Sequence, residues 1–487
     1  MRDVPWKRIE LRWFIAVVVL AACAVAIPAL TCIPVAVTIA GVAWRWPDAI
    51  ASVVAFVVLA ARPALDDLSE RRLGLGSFAT SPAVILGLAV LWAGISVALR
   101  RGRDRRSIWP DRDVLLAHLI LLLTYAIALA SGLLHHGWAA LGPGAREAIR
   151  MASVVSGYLV VYWWAQESPE RYRTGWIYLA LGALAPVSVA VWQLITNSGN
   201  LESEGLNRLR GTFSHPHTLG PYLVPFILCA VSGINEARAL VGLIWLGLAA
   251  GLSVLLALTY SRTAELVLIS GLIALPILQT RYLGFRALRH ALVVVLLFSV
   301  VGWLVAGGYI RERFSGLRIG AEALEAARTG QTESSLEWRL LNWGGLITLG
   351  ADHPITGEGL GMTPVLNPQI DPATELPYTA HNDFVRVFFE GGILGLVGYV
   401  LYGALLLRWA LKRARRASVR QAPTAFAVVA ALLALIFLTA GAQEWGTLTA
   451  VQFELYGMLA LITAAGLDSS PAGLEMPSEG VRTDRAV

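Results

Sequence analysis

Residues 114–134 read VLLAHLILLLTYAIALASGLL, with no Asp, Glu, Lys or Arg among them. A bilayer core needs a helix of about 20 predominantly apolar residues, and this run supplies one. Comparable runs recur at Trp13–Ile27, Ile33–Trp44, Ala49–Ala61, Ser81–Leu99, Ala148–Trp164, Trp176–Ile195, Leu219–Ile234, Leu240–Leu258, Ala264–Leu278, Ala291–Ile310, Phe384–Leu407, Ala425–Leu438 and Ala450–Leu467. The first two are short and meet between Pro28 and Pro34, as a hairpin or one broken helix. The expected fold is all-α, a polytopic membrane protein of about 12–14 transmembrane helices. Composition agrees: 56% of the 487 residues are hydrophobic and 15% charged, against about a quarter charged in soluble domains.

The net charge of +6 does not point to nucleic acid, because the basic residues fall in short blocks between apolar runs. Such blocks mark cytoplasmic loops. With the first two runs as a hairpin, Arg2–Arg12, Arg100–Arg106, Arg171–Arg173, Arg281–Arg289 and Arg408–Arg420 all share the cytoplasmic side. The same parity puts Arg62–Gly76, His135–Arg146, Asn197–His217, Thr259–Arg262 and one long polar segment, Arg311–Asn382, outside. The basic Met1–Arg12 leads into an apolar stretch longer than a signal peptide, read as a retained anchor. Residues 1–467 form the membrane domain, with 311–382 a large extracytoplasmic loop, and 468–487 read as a disordered cytoplasmic tail. Cys23, Cys32 and Cys229 lie in apolar runs without metal-ligand spacing. Paired broken helices and internal repeats, the marks of inverted-repeat transporters, are not evident. A polysaccharide transporter or flippase is therefore a secondary reading.

Four polar groups converge on the outer side by parity. They are Arg208-Leu-Arg210-Gly-Thr-Phe213 with Ser214-His215-Pro216-His217, then Tyr260-Ser-Arg-Thr263, then Glu337-Trp338-Arg339, and finally His381-Asn382-Asp383. A lone arginine at a span end usually anchors at headgroups. Arg210, Arg262 and Arg339 together, against positive-inside pressure, indicate an anionic ligand, for which guanidinium forks suit a diphosphate. Such arginines also stabilise charge growing on a leaving phosphate. His381 is an interfacial histidine or a general base, with Asp383 and Glu337 as alternative bases or orienting partners. Arg386 and Glu390, one turn apart inside the next span, pair with each other or face a polar cavity that Glu265 also lines. Glu454 and His118 read as helix-packing groups. His215 and His217 lack a carboxylate partner for a metal, and Asp66-Asp67, beside Glu70, Arg71 and Arg72, reads as a solvated charged face. No metal is expected. Gly357-Glu358-Gly359-Leu360-Gly361 lacks a strand–turn–helix context and reads as a tight turn.

Taken together these motifs resemble the O-antigen ligase and O-antigen polymerase superfamily. The resemblance rests on Arg210-Gly-Thr-Phe-Ser-His-Pro-His-Thr-Leu-Gly220, Tyr260-Ser-Arg-Thr263, His353-Pro-Ile-Thr-Gly-Glu-Gly-Leu-Gly361 and His381-Asn-Asp-Phe with Glu390-Gly-Gly-Ile-Leu-Gly395. It covers about 206–399. It implies an inner-membrane, GT-C-like glycosyltransferase that moves a glycan from undecaprenyl diphosphate to an acceptor sugar at the periplasmic face. An O-antigen ligase acting on lipid A-core in lipopolysaccharide biosynthesis is one form, and an O-antigen or exopolysaccharide polymerase the other. The resemblance also implies metal-independent, cofactor-free, inverting chemistry, with Arg210, Arg262 and Arg339 on the diphosphate and His381 as base. His217 stands where the family often has Asn, so no direct role is carried to it.

Overall fold

The structure, a computed structural model, describes residues 46–64, 66, 73–75, 78–80, 82–104, 109, 111–198, 201–203, 206–236, 239–283, 335–369, 379–417, 421–439, 444 and 448–465. The spans expected within 13–44 and 291–310 lie outside the described residues. So do Cys23, Cys32, Asp67, Glu70, Arg71, Arg72, residues 311–334 and the 468–487 tail.

Each remaining expected span meets a helix. In chain order these are α1 (Pro47–Phe56, continued by a π-turn at Val57–Ala61), α2 (Pro82–Arg103), α3 (Arg112–His136), α4 (Leu141–Gln166), α5 (Pro169–Thr196), α6 (Pro216–Glu236), α7 (Ala239–Ala257), α8 (Arg262–Leu283), α9 (Ser335–Gly350), α10 (Thr363–Leu366), α11 (Asp383–Arg416), α12 (Ala422–Thr439) and α13 (Thr449–Ala465). Seven helical stretches among the described residues are long and apolar enough to cross a membrane, one of them the continuous Arg112–Gln166 that holds both α3 and α4. Two short antiparallel hairpins are also present, β1 (Leu73–Leu75) with β2 (Phe78–Thr80) and β3 (Leu201–Ser203) with β4 (Leu206–Arg208). The chain is a multi-pass, all-α membrane protein.

Local signals set the helix ends. The Asp111 carboxylate accepts the Asp113 N–H at 3.1 Å to start α3, and the Ser168 hydroxyl accepts the Arg171 N–H at 3.2 Å to start α5, both satisfying donors that the first turn leaves free. Gly137 (φ +59°) and left-handed Asn197 (φ +48°) end α3 and α5. At the core sits α13, buried on every side over 450–464, as expected of a helix without a solvent or lipid face. It packs on α4, α5, α6 and α12, while α12 also contacts α8, α6 and α11. By contrast α3, α5 and α7 expose rows of Leu, Ile and Trp such as Leu122, Trp192 and Ile244, the surface that lipid covers.

Two basic blocks gather at one end of the bundle. Lys412 of α11 meets Asp111 (3.3 Å) and Asp113 (3.9 Å) at the start of α3, joined by Arg408 (3.4 Å to Asp113) and Arg413 (3.8 Å to Asp111). On α2, Arg101 lies over the Trp163 ring near the end of α4, 5.4 Å from its centroid. The polar motifs occupy the other end.

The long polar segment is not the plain loop its polarity suggests. Its described part contains α9, too short to span, and a turn that completes α11. That helix breaks at Gly392 (φ +61°, ψ −157°), freeing backbone groups in a setting where unsatisfied ones are costly. The 354–361 turn takes them up. Glu358 N–H donates to Phe389 O (2.8 Å), Gly359 N–H to Glu390 O (3.0 Å), Ile393 N–H to Pro354 O (2.8 Å) and Leu394 N–H to Ile355 O (3.2 Å). A Cβ on Gly357 would lie 2.4 Å from the Glu390 carbonyl carbon, and one on Gly392 2.3 Å from that of Ile355. The His-Pro-Ile-Thr-Gly and Glu-Gly-Gly-Ile motifs are thus two halves of one joint.

Candidate functional site

The site is built where the starts of α6, α8 and α11 meet α9. Gln193, buried in the last turn of α5, uses its side-chain oxygen to accept the N–H groups of Arg210 (3.2 Å) and Gly211 (3.0 Å), and donates to Gly211 O (3.2 Å). Gly211 is left-handed, and a Cβ there would lie 2.7 Å from Pro186 O. Within this turn the Arg210 guanidinium donates to Phe213 O at 3.3 Å. Its neighbour Arg208, buried, reaches across to Thr259 O (2.9 Å) and Tyr260 O (3.4 Å), and Leu209 N–H donates to Leu258 O at 3.1 Å. Those contacts fix the left-handed Tyr260 (φ +50°) two residues before Arg262.

Arg262 opens α8, behind Ser261, whose hydroxyl receives the Ala264 N–H at 3.4 Å and contacts His217 Nδ1 at 3.0 Å. The first turns of α6 and α8 approach so closely that a Cβ on Gly220 would lie 2.5 Å from that of Ala264. Two helix N-termini therefore meet beside the arginines, and their aligned dipoles favour an anion.

From α9, Arg339 completes the cationic face. Its Nε is buried and has no hydrogen-bond partner among the described residues. Burial, and then the nearby Arg262 guanidinium, lower its pKa to about 10. Two guanidiniums brought together this way repel each other unless an anion lies between them. Glu337, two residues earlier on α9, is wholly buried.

His381 sits beside Arg339. Its ring meets Trp338 edge to face, centroids 5.6 Å apart at 73°. Burial lowers its pKa to about 4, helped by Arg339 and then His215, so the imidazole is neutral well below pH 7. The backbone here is left-handed (φ +51°) and tied on every side. Trp343 donates its indole N–H to Ala380 O (2.8 Å), the Asn342 amide donates to Thr379 O (3.0 Å), and Asn382 caps α11 by accepting the Phe384 (2.9 Å) and Val385 (3.2 Å) N–H groups. The His381 N–H itself donates to Glu444 Oε1 at 2.7 Å.

Beneath the histidine lies an ion network. Arg386 faces Asp383 (3.2 Å), Glu390 (3.6 Å) and Glu147 of α4 (3.7 Å), and Arg150 pairs with Glu147. Tyr399 donates to Asp383 Oδ2 at 3.0 Å, and Thr363 to Glu390 Oε1 at 2.7 Å. Both Asp383 oxygens thus have partners within the network, which suits support more than proton abstraction from a substrate. Arg386 and Glu390 are not an isolated pair but two members of this cluster. Asp66 also differs from expectation. It is buried and paired with Arg62 at 2.6 Å, not part of a solvated face, and the Thr212 hydroxyl donates to Pro63 O nearby (2.6 Å).

The glycine turn is clamped by Glu358, whose Oε2 faces His136 Nε2 (3.0 Å) and Oε1 faces His353 Nδ1 (2.7 Å). His215 and His217 stack on each other, with ring centroids 4.6 Å apart. Among the described residues no group of three or more His, Cys, Asp or Glu is placed to hold a metal ion. His118 bonds to Val114 O (2.7 Å) within a cluster of rings, and Glu454 is buried on α13.

Residues 246–400 match a family model described as O-antigen ligase. Over that stretch the chain is similar to the O-antigen ligase/polymerase superfamily. The matched range contains Arg262, Arg339, the 354–361 turn, His381 and the α11 kink, while Arg210 and Gln193 precede it and Glu444 follows it. No curated protein matches the chain. The match supports an O-antigen ligase or polymerase type of function in general. Sequence reasoning missed Gln193, Asn342, Trp343 and Glu444. Glu444 carried a usable signal, because parity puts the turn between the last two spans on the outer side, where an acid in an apolar segment stands out.

Proposed function

We propose that this protein transfers a glycan from undecaprenyl diphosphate to an acceptor sugar at the periplasmic face of the inner membrane, as an O-antigen ligase acting on lipid A-core. The observation that carries the reading is the approach of Arg262 to Arg339, with Arg339 beside a neutral His381. The gathering of basic helix ends at the opposite end of the bundle supports a periplasmic site.

In this reading Arg262 and Arg339, with Arg210, hold the donor diphosphate. His381 accepts the proton of the acceptor hydroxyl through a ring nitrogen. The hydroxyl oxygen attacks the anomeric carbon, the bond from that carbon to the diphosphate oxygen breaks, and the electron pair leaves with the diphosphate. One displacement inverts the anomeric centre, and the arginines stabilise the charge growing on the leaving group without a metal. Donor binding also prepares the base. A diphosphate on Arg339 offsets the cation that depresses the imidazole, so basicity recovers when there is work for it.

Asp383, Arg386 and Glu390 serve by bracing the start of α11, and Glu337 by anchoring α9. The test is the fate of lipid-linked glycan in cells carrying His381→Ala at normal protein level. Glycan is expected to accumulate on the lipid carrier, and full transfer in that strain would reject the assignment. In a deletion strain, long polymer stranded on the carrier marks a ligase. Single repeats, or lipid A-core capped with one repeat, mark a polymerase.

A further inference from the structure

We propose that Glu444 is the positioning residue for His381 and that its ionised carboxylate, rather than the imidazole, sets the acid limit of the transfer reaction. The inference rests on His381 being the base. Glu444 comes from the segment between α12 and α13, far from α11 in sequence, and is buried at 2% exposure. Its Oε1 accepts the N–H of His381 at 2.7 Å.

Histidine seldom adopts the left-handed backbone seen here (φ +51°) unless its surroundings impose it. Trp343 and Asn342 hold the residues before it and the Asn382 cap holds those after it. Glu444 grips the peptide of His381 itself. A carboxylate accepting a backbone N–H makes a charge-assisted bond, stronger than the one its protonated form can make. Loss of the charge therefore loosens a contact that holds the His381 peptide, and with it the base of the imidazole.

Among the described residues, the charged groups acting on Glu444 are Arg386, Asp383 and Glu390, all from α11. Burial pushes the Glu444 carboxyl up to about 7. Arg386 and the His381 N–H oppose the rise, and Asp383 and Glu390 add to it. The imidazole lies far lower, at about 4. Between pH 5 and 8 His381 is already neutral, while Glu444 changes charge. As pH falls through 7 its carboxylate is protonated and the grip weakens.

The test uses the full-length protein in proteoliposomes with purified lipid-linked donor and acceptor. The quantity is kcat/KM from pH 5 to 8, which reports groups of the free enzyme. Wild type is expected to lose activity as pH falls through about 7, along the limb of one titrating group, toward the plateau of the Gln variant. Glu444→Gln should be level across the window at a lower plateau, with donor binding retained. Glu444→Asp, which keeps a titrating charge, should keep an acid limb and so tests the idea even if the Gln variant folds poorly. A Glu444→Gln variant with the wild-type acid limb, or a wild type level to pH 5, overturns the proposal. His381→Ala, run in parallel, separates the failures. If it transfers at the wild-type rate, the base assignment has failed. If it is inactive while Glu444→Gln keeps the limb, only the role of Glu444 has.

Discussion

Replacing Arg339 by Gln separates two effects that the structure assigns to one side chain. The first is donor binding. A charge-assisted contact is worth about 1.5–3 kcal/mol, so donor affinity should fall roughly 10- to 150-fold. The second is the state of His381. Arg339 is the second cause, after burial, of the low imidazole pKa of about 4. Removing the cation favours the protonated ring, so the pKa must rise. It should stay below the ordinary 6.5, because burial and His215 remain. The assay is diethyl pyrocarbonate modification of His381, which needs the neutral ring, followed by mass spectrometry as a function of pH. The midpoint should move up from about 4 in wild type. Arg339→Lys should keep the low midpoint but lose donor affinity, because it retains the charge and not the fork. An Arg339→Gln protein with unchanged donor affinity and an unchanged midpoint would refute the reasoning.

Other perturbations test the frame. Gly392→Ala places a Cβ 2.3 Å from the Ile355 carbonyl carbon at φ +61°. The left-handed residue alone costs about 1–2 kcal/mol, and the backbone bonds from the 354–361 turn must shift as well. A clearly lower thermal midpoint is expected, and an unchanged one would contradict the joint. Arg386→Ala leaves Asp383, Glu390 and Glu147 without their shared cation, at a cost of about 3–5 kcal/mol for a broken buried pair. Its melting temperature should fall, with partial recovery in Arg386→Lys, and wild-type stability in Arg386→Ala would show the network to be dispensable.

The spans were readable because each obeys one local rule, an apolar run long enough for a bilayer. The one-sided basic blocks were readable for the same reason, and the basic end of α11 meets Asp111 and Asp113 at the start of α3 through Lys412. Arg262, Arg339 and His381 also stood out, since charge beside apolar helices is conspicuous. What escaped depends on tertiary contact. Nothing local to Gly357 or Gly392 says that each fills a gap left by the other. Gln193 is one amide among many until Arg210 and Gly211 fold onto it, and Glu444 matters only because His381 arrives there. Asp66 looked solvated because its neighbours are charged, yet Arg62, one turn earlier, buries it as a pair. The α9 helix was hidden because its apolar stretch is too short to pass for a span.

The most direct measurement is single-turnover transfer by purified His381→Ala in proteoliposomes, with donor binding measured on the same sample. The account predicts donor affinity within a few-fold of wild type and a transfer rate reduced by about 10²- to 10⁴-fold, the usual contribution of a general base. Transfer at close to the wild-type rate by a variant that binds donor normally would contradict it.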